Sequence, residues 1–395
     1  MLSPYFLISL LYLSLAMLGA LDSSLANLGI VQWFNGLRWL RVHFITLGVL
    51  VESVFGLLPI LIAHYANKPR PKTRWDIWLA LNAGLLALLI GIPLINQVII
   101  FSGGTLIFGA AVLLLHQLIN LRPPSPTFNL TRGFPFYVAG LSFLLIGITF
   151  GTGLWLGWGV ALQAVAPKEV HLHSNVWGFT SLVFAGLLID LYPSFAKRSL
   201  AWERSIPIIF ALFLIGDISL VIVPWLGLAA FTVPALILHH AATALLLLNI
   251  LLPLMAKPGG WSVGMIHIVA GYTLILAPIL LGPFVMMSGR ELPMTLIEAS
   301  APQLLVYGWL MPIVFALAPY LFGRILLRDE AASLGGNWIS LIAVYLGVAF
   351  FVPSLFSDQP QLQAVAYILW AISMLPIAFQ LWQIVKKFDQ EKVTI

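Results

Sequence analysis

The feature that most constrains this chain is a succession of apolar runs, each about 20 residues or longer, that punctuates nearly its whole length. A helix needs roughly 20 such residues to cross the hydrocarbon core of a bilayer. Inside that core only helices and closed barrels satisfy their own backbone hydrogen bonds. On this scale the sequence predicts twelve spans at approximately 4–29, 39–64, 75–95, 101–120, 134–164, 171–195, 205–225, 229–254, 263–287, 301–325, 336–356 and 362–385. The expected fold is an all-α integral membrane protein forming one transmembrane domain over 1–395. The first run is long and weakly basic at its start, so it is read as a helix rather than a cleaved signal peptide. Only 8% of the residues are charged, against about a quarter in soluble domains, which excludes an ordinary soluble enzyme and gives nucleic-acid binding no support.

The placement of charge tests this division. With a cytoplasmic N-terminus, the inner loops hold Lys68, Arg70, Lys72, Arg74, Arg122, Arg132, Lys197, Arg198, Arg204, Lys257, Arg324 and Arg328, and the C-terminal tail adds Lys386, Lys387 and Lys392. These make up fifteen of the 19 Lys and Arg, leaving Arg38, Arg41, Lys168 and Arg290 outside. That bias is the one expected of a plasma (inner) membrane protein with both termini cytoplasmic.

A shift of 130 residues lays spans 1–4, 5–8 and 9–12 over one another, with Trp75, Ser205 and the neighbourhood of Leu334 in step. His43 and Gly48, His173 and Gly178, and Gln303 and Gly308 then share one spacing. Further along, Val54 to Pro59 lies over Val314 to Pro319. Apolar helices resemble one another by low complexity, but helix starts, a polar residue and a glycine coincide here. The expectation is a bundle of three pseudo-symmetric four-helix repeats, approximately 1–130, 131–260 and 261–395.

There is no cysteine, so disulfides, thiolate metal sites and iron–sulfur clusters are excluded, and any metal must use His, Met or carboxylate. Polar groups inside a bilayer are costly and tend to be functional. His43, His171 and His173 fall at one expected depth near the outer ends of spans 2 and 6. A b-type haem suits that placement: it takes one or two imidazoles from facing helices, and its propionates want cations near the water boundary. Arg38, Arg41 and Lys168 stand where those cations would be needed, and Gly48 and Gly178 would let a flat macrocycle approach the helix. The plain alternative is that these are interfacial polar residues, with His171 capping a helix entrance.

The stretch from His171 to Phe179, continuing to Tyr192 and Pro193, resembles the haem-ligand helix of the haem–copper oxidase superfamily, in particular its cbb3-type oxidase and nitric oxide reductase-like branches. That resemblance implies twelve helices in three groups of four, haem b (one or two), and His43 as the low-spin haem ligand. Departures are equally legible. The family's His-x-His pair on span 10 is replaced by Ala301-Pro302-Gln303, span 7 carries Asp217 where two copper-binding histidines belong, and a His-x-His pair stands on span 6. The expectation is therefore a divergent relative with a relocated haem arrangement rather than a standard binuclear centre.

His239 and His240, midway along span 8, form an adjacent pair, so copper enters as a candidate second metal there, with His267 of span 9 as a further candidate ligand. Their structural alternative is hydrogen bonding to carbonyls, water or each other. Glu52 and Asp217 are the deepest ionisable residues, read either as proton carriers or as interior hydrogen-bonding groups. Asp190 is expected to face water at the inner surface, and His64 and His116 to reside at the interface.

Two functions follow. The first is a haem-containing membrane redox protein acting in electron transfer, or in binding or reducing nitric oxide or oxygen, on the outer side, with a cytochrome, cupredoxin or quinol as electron donor. The second is a cofactor-free permease or membrane scaffold whose Glu52, Asp217 and histidines line a path.

Overall fold

A computed structural model describes residues 3–33, 36–121, 132–256, 259–287, 302–327, 329, 331–357 and 359–393. Arg122, Lys257, Arg290, Ala301 and Arg328, which entered the reading of the sequence, lie outside the described residues. Among the described residues the regular structure is all helical: α1 Pro4–Asn27, α2 Leu37–Tyr65, α3 Trp75–Gly91, α4 Gln97–Leu121, α5 Phe134–Leu156, α6 Pro167–Ala196, α7 Glu203–Leu226, α8 Ala229–Ala256, α9 Val263–Met287, α10 Pro302–Ile325, α11 Trp338–Ser354 and α12 Pro360–Val393. Nine of these described helices are long and apolar enough to cross a membrane, and Trp75–Gly91, Val263–Leu276 and Trp338–Ser354 are shorter apolar stretches.

Burial is the reverse of a soluble protein's. Large apolar side chains such as Leu86, Val98, Phe101, Ile342, Phe379 and Trp382 are exposed, whereas Glu52, Asp217, His239, Asn249 and His267 are buried. An exterior of this kind is wetted by lipid, and the polar groups retreat to where protein can satisfy them. The chain is a multi-pass helical membrane protein.

Helix ends explain most differences from the sequence reading. The fifth span stops at Leu156 rather than continuing to 164, because Gly157 adopts a left-handed conformation (φ 73°) and its N–H caps Gly153 O. The sixth begins earlier, at Pro167, whose ring suits the first turn of a helix. The last runs on to Val393, beyond the apolar stretch.

Two compact units are distinguished: residues 1–53 with 259–395, and residues 54–258. In the first, α12 packs on α1, α10 and α11, and α9 packs on α10. In the second, α3 packs on α4, α4 on α5, α5 on α6, α6 on α7, and α7 on α8.

In the second unit, side chain to backbone bonds tie helix ends together. Asn249 accepts from the N–H of Trp202 through Oδ1 (2.7 Å) and donates to Ser205 Oγ (3.0 Å). Asp190 is buried rather than water-facing: its carboxylate accepts from Gly133 N (2.9 Å) and from the Tyr137 hydroxyl (2.8 Å). Two donors, from α5 and from the turn before it, cover the group.

Among the described residues three helices contain π-helical runs. π-helical turns occupy Phe44–Val51 in α2, Ser174–Ser181 in α6 and Val306–Leu310 in α10. Such turns are rare, and they often sit at functional sites.

Candidate functional site

In the second unit the site begins at α6. Its first two turns are ordinary α-helix up to His173, after which the π run takes over. Two hydroxyls reinforce the wider turn by bonding five residues back, Thr180 Oγ1 to Asn175 O (2.8 Å) and Ser181 Oγ to Val176 O (3.2 Å). Gly178, within the run, lies against the ring of Phe143 on α5, so closely that a side-chain carbon there would overlap the ring. The sequence expectation gave this glycine to a macrocycle. Its open face is instead filled by Phe143, and its smallness serves the α5–α6 approach.

His173 and His171 look towards opposite neighbours. His173 Nδ1 donates to Leu220 O on α7 at 2.6 Å, whereas His171 Nδ1 donates to Gly147 O on α5 at 2.8 Å. The His171 ring fills the notch over Gly151, where a side-chain carbon would stand 2.6 Å from its Cε1. The two imidazoles of the His-x-His pair therefore do not converge. Lys168, in the first turn of α6, is exposed.

One turn beyond His173 stands Trp177, whose ring meets those of His239 (4.9 Å) and His240 (6.0 Å) on α8. Here α7 contributes Asp217: its Oδ1 and His239 Nδ1 share a hydrogen bond at 2.6 Å, with both side chains fully buried. Among the described residues Asp217 Oδ2 and His239 Nε2 have no hydrogen-bond partner. Phe213 closes the other side of His239 at 5.0 Å. His240 turns away, Nδ1 donating to Leu236 O at 2.8 Å, with its ring 5.6 Å from that of His239. Sequence reasoning assigned Asp217 and His239 separate roles and missed that they form one pair; it also missed Trp177 and the carbonyl of Leu220.

In the first unit, His43 ends the α-helical part of α2 before the π run. Its Nδ1 donates to Trp39 O (2.8 Å) and its ring lies almost parallel to that of Trp39, 4.3 Å away. Gly48, five residues on, lies against the Tyr12 ring of α1, again with no space for a side chain. Arg41 is buried, its guanidinium 4.7 Å from the ring of Tyr367 and 5.7 Å from that of Trp33. Arg38 remains exposed, 5.8 Å from the Trp33 ring. Glu52 is fully buried at the end of the run.

At the third π run, Gln303 is buried, Gly308 lies against Leu274, and Tyr307 stacks flat on Trp370 at 4.4 Å. His267 belongs to a helix cap. Its Nε2 lies 3.0 Å from Ser340 Oγ and 3.3 Å from Asn337 O, inside the capping box that starts α11. His64 is exposed, and the exposed His116 bonds Asn120 at 2.8 Å, both at helix ends.

The donor chemistry separates these histidines. An imidazole whose Nδ1 donates to a carbonyl keeps its lone pair on Nε2, the arrangement that orients a metal-ligating histidine. His43, His171, His173 and His240 all have it, and of these His43, His171 and His173 are half-buried whereas His240 is buried. His239 has the carboxylate partner, but it is fully enclosed. No group of three His, Asp or Glu side chains able to hold a metal ion occurs among the described residues.

Fold and buried polar interior define the class, a helical membrane protein with an imidazole-rich core. No protein-family model matches the chain. Over 178 residues it is 25% identical to an uncharacterized protein of Aquifex aeolicus (strain VF5), a match covering 42% of this chain and 44% of that relative. The chain thus spans less than half the length of the curated relative it matches.

Proposed function

We propose that this protein is a haem-binding membrane redox protein, a divergent relative of the haem–copper oxidases, with His43 and His173 as iron ligands. The observation that carries this reading is the equivalence of the two imidazoles. Each ends an α-helical segment, each is followed directly by an eight-residue π run, and each has Nδ1 fixed by a backbone carbonyl. A haem b bound there supplies one-electron chemistry and, where a coordination position stays open, affinity for nitric oxide or oxygen. The chain's own residues fix the Nδ1 of each histidine, with Trp39 stacked on His43 and Trp177 one turn beyond His173, and Arg38 and Arg41 stand five and two residues before His43 as partners for propionate charge. Copper is not part of the proposal. Electrons would come from a cytochrome, cupredoxin or quinol.

The same reading takes the twelve helices as membrane-crossing, in three four-helix repeats, within the plasma membrane and with both termini cytoplasmic. It is supported by the register of the π runs. Phe44–Val51 and Ser174–Ser181 coincide after a shift of 130 residues, and Val306–Leu310 falls inside the same window after a second shift. Tyr12, Phe143 and Leu274, the side chains that cover the three glycines, recur at nearly the same interval.

The test is the optical spectrum of protein purified from a haem-replete host. A Soret band with sharp bands on reduction is expected, and a colourless folded protein would overturn the proposal. The buried Asp217–His239 pair favours a second reading, a haem-free proton-coupled permease in which that pair and Glu52 carry the proton. Proton uptake by haem-free protein in sealed vesicles, lost in Asp217→Asn, would select it.

A further inference from the structure

We infer that the segment joining α2 to α3 is a binding site for anionic phospholipid headgroups, independently of any haem. Its construction starts at the end of α2. Asn67 takes a left-handed conformation (φ 52°), the N–H of Lys68 bonds Ala63 O (2.8 Å) and that of Asn67 bonds His64 O (3.1 Å), so the helix stops sharply. The chain then runs without regular structure to Trp75. Over these residues a cation occurs at every second position, Lys68, Arg70, Lys72 and Arg74, separated by Pro69, Pro71 and Thr73. The prolines hold themselves and the residues before them in extended backbone, so the row of charge is laid out before any ligand arrives.

Arg70 and Lys72 are exposed, and Lys68 donates to Asn120 O at the end of α4 (3.4 Å), which fixes the near end of the row beside that helix. The nearby acid, Asp76, pairs with Arg74. It therefore offsets the last cation of the row.

Two further observations identify the ligand as lipid rather than a soluble anion. Trp75 is 54% exposed and meets Trp78 edge-on (5.5 Å), so an amphipathic aromatic pair of the type found at headgroup level adjoins the cations. In addition α3 has only 17 residues. At 1.5 Å per residue it spans about 26 Å, short of the roughly 30 Å hydrocarbon core. On the proposed reading that α3 crosses the membrane, a helix that short draws the bilayer surface towards its ends, which brings headgroup phosphates to the row. The ligand class is a phospholipid with net negative charge, such as phosphatidylglycerol or cardiolipin.

The absence of cysteine permits a direct test. Thr73→Cys, carrying an environment-sensitive fluorophore, is titrated in phosphatidylcholine nanodiscs containing increasing phosphatidylglycerol. It is compared with the same protein bearing Lys68→Gln, Arg70→Gln and Lys72→Gln. The expected result is a saturable response to phosphatidylglycerol, with affinity lowered on the order of 100-fold in the triple variant and weakened by salt. A Lys197→Gln, Arg204→Gln control should retain it. Equal responses in the wild-type and triple-variant proteins, equal losses in the control, or saturation by inorganic phosphate alone would each overturn the inference. Unchanged far-UV circular dichroism and thermal midpoint of the triple variant in pure phosphatidylcholine establish that it folds.

Discussion

The interior around the second π run and the interior around the third use the same backbone device and line it with different chemistry. At Ser174–Ser181 a glycine covered by Phe143 sits beneath His173, and the neighbouring helices add Asp217, His239 and His240. At Val306–Leu310 a glycine covered by Leu274 follows Gln303, and the neighbours are Tyr307, Trp370, Tyr367 and Phe351, packed ring on ring. The difference teaches that the wide turn and its covered glycine are architecture, whereas the imidazole and carboxylate groups are a separate layer present in one interior, with aromatic packing in their place in the other.

The sharpest break between the two is expected from Trp370→Ala. Trp370 is fully buried on the Tyr307 stack, so its loss should cost about 3–5 kcal/mol in equilibrium unfolding, while the haem content of the folded fraction is unchanged. Loss of colour would show that the aromatic interior also serves the cofactor.

Next in size is Gly178→Ala against Gly308→Ala. Each should lower stability by about 1–3 kcal/mol, because the new carbon meets Phe143 or Leu274. Only Gly178→Ala should also shift the absorption bands, since it disturbs the turn below His173. Identical spectra for the two variants would remove the distinction.

Asp217→Ala leaves His239 Nδ1 buried without its partner, for a loss of about 1–3 kcal/mol. In a double-mutant cycle the variant Asp217→Ala, His239→Ala should cost less than the sum of the two single losses, as expected of a coupled pair. Additivity would mean that the 2.6 Å contact carries no energy of its own. The smallest effect is that of Tyr137→Phe, which removes one of the two donors to Asp190 and should cost about 1 kcal/mol.

The helices were legible in the sequence because lipid imposes a long apolar run on a helix that crosses it. The π turns were not legible: no residue type specifies them, and the side chains that cover the glycines come from another helix. The Asp217–His239 pair was within reach. Both residues stand roughly ten to twelve positions from Gly227, where α7 turns into α8, and at 1.5 Å per residue that sets them level. Each residue was weighed alone, so the pair was missed. His171 and His267 were read as candidate ligands because a histidine in an apolar helix is conspicuous. In the structure His171 Nδ1 donates to Gly147 O and His267 Nε2 meets the α11 cap, partners that lie 24 and 70 to 73 residues away.

The central claim is that His43 and His173 hold iron, and it is tested most directly by haem per polypeptide in purified, folded His43→Ala, His173→Ala and Gln303→Ala. The account predicts haem lost in each of the first two and retained in the third. Full haem content in both histidine variants would contradict it.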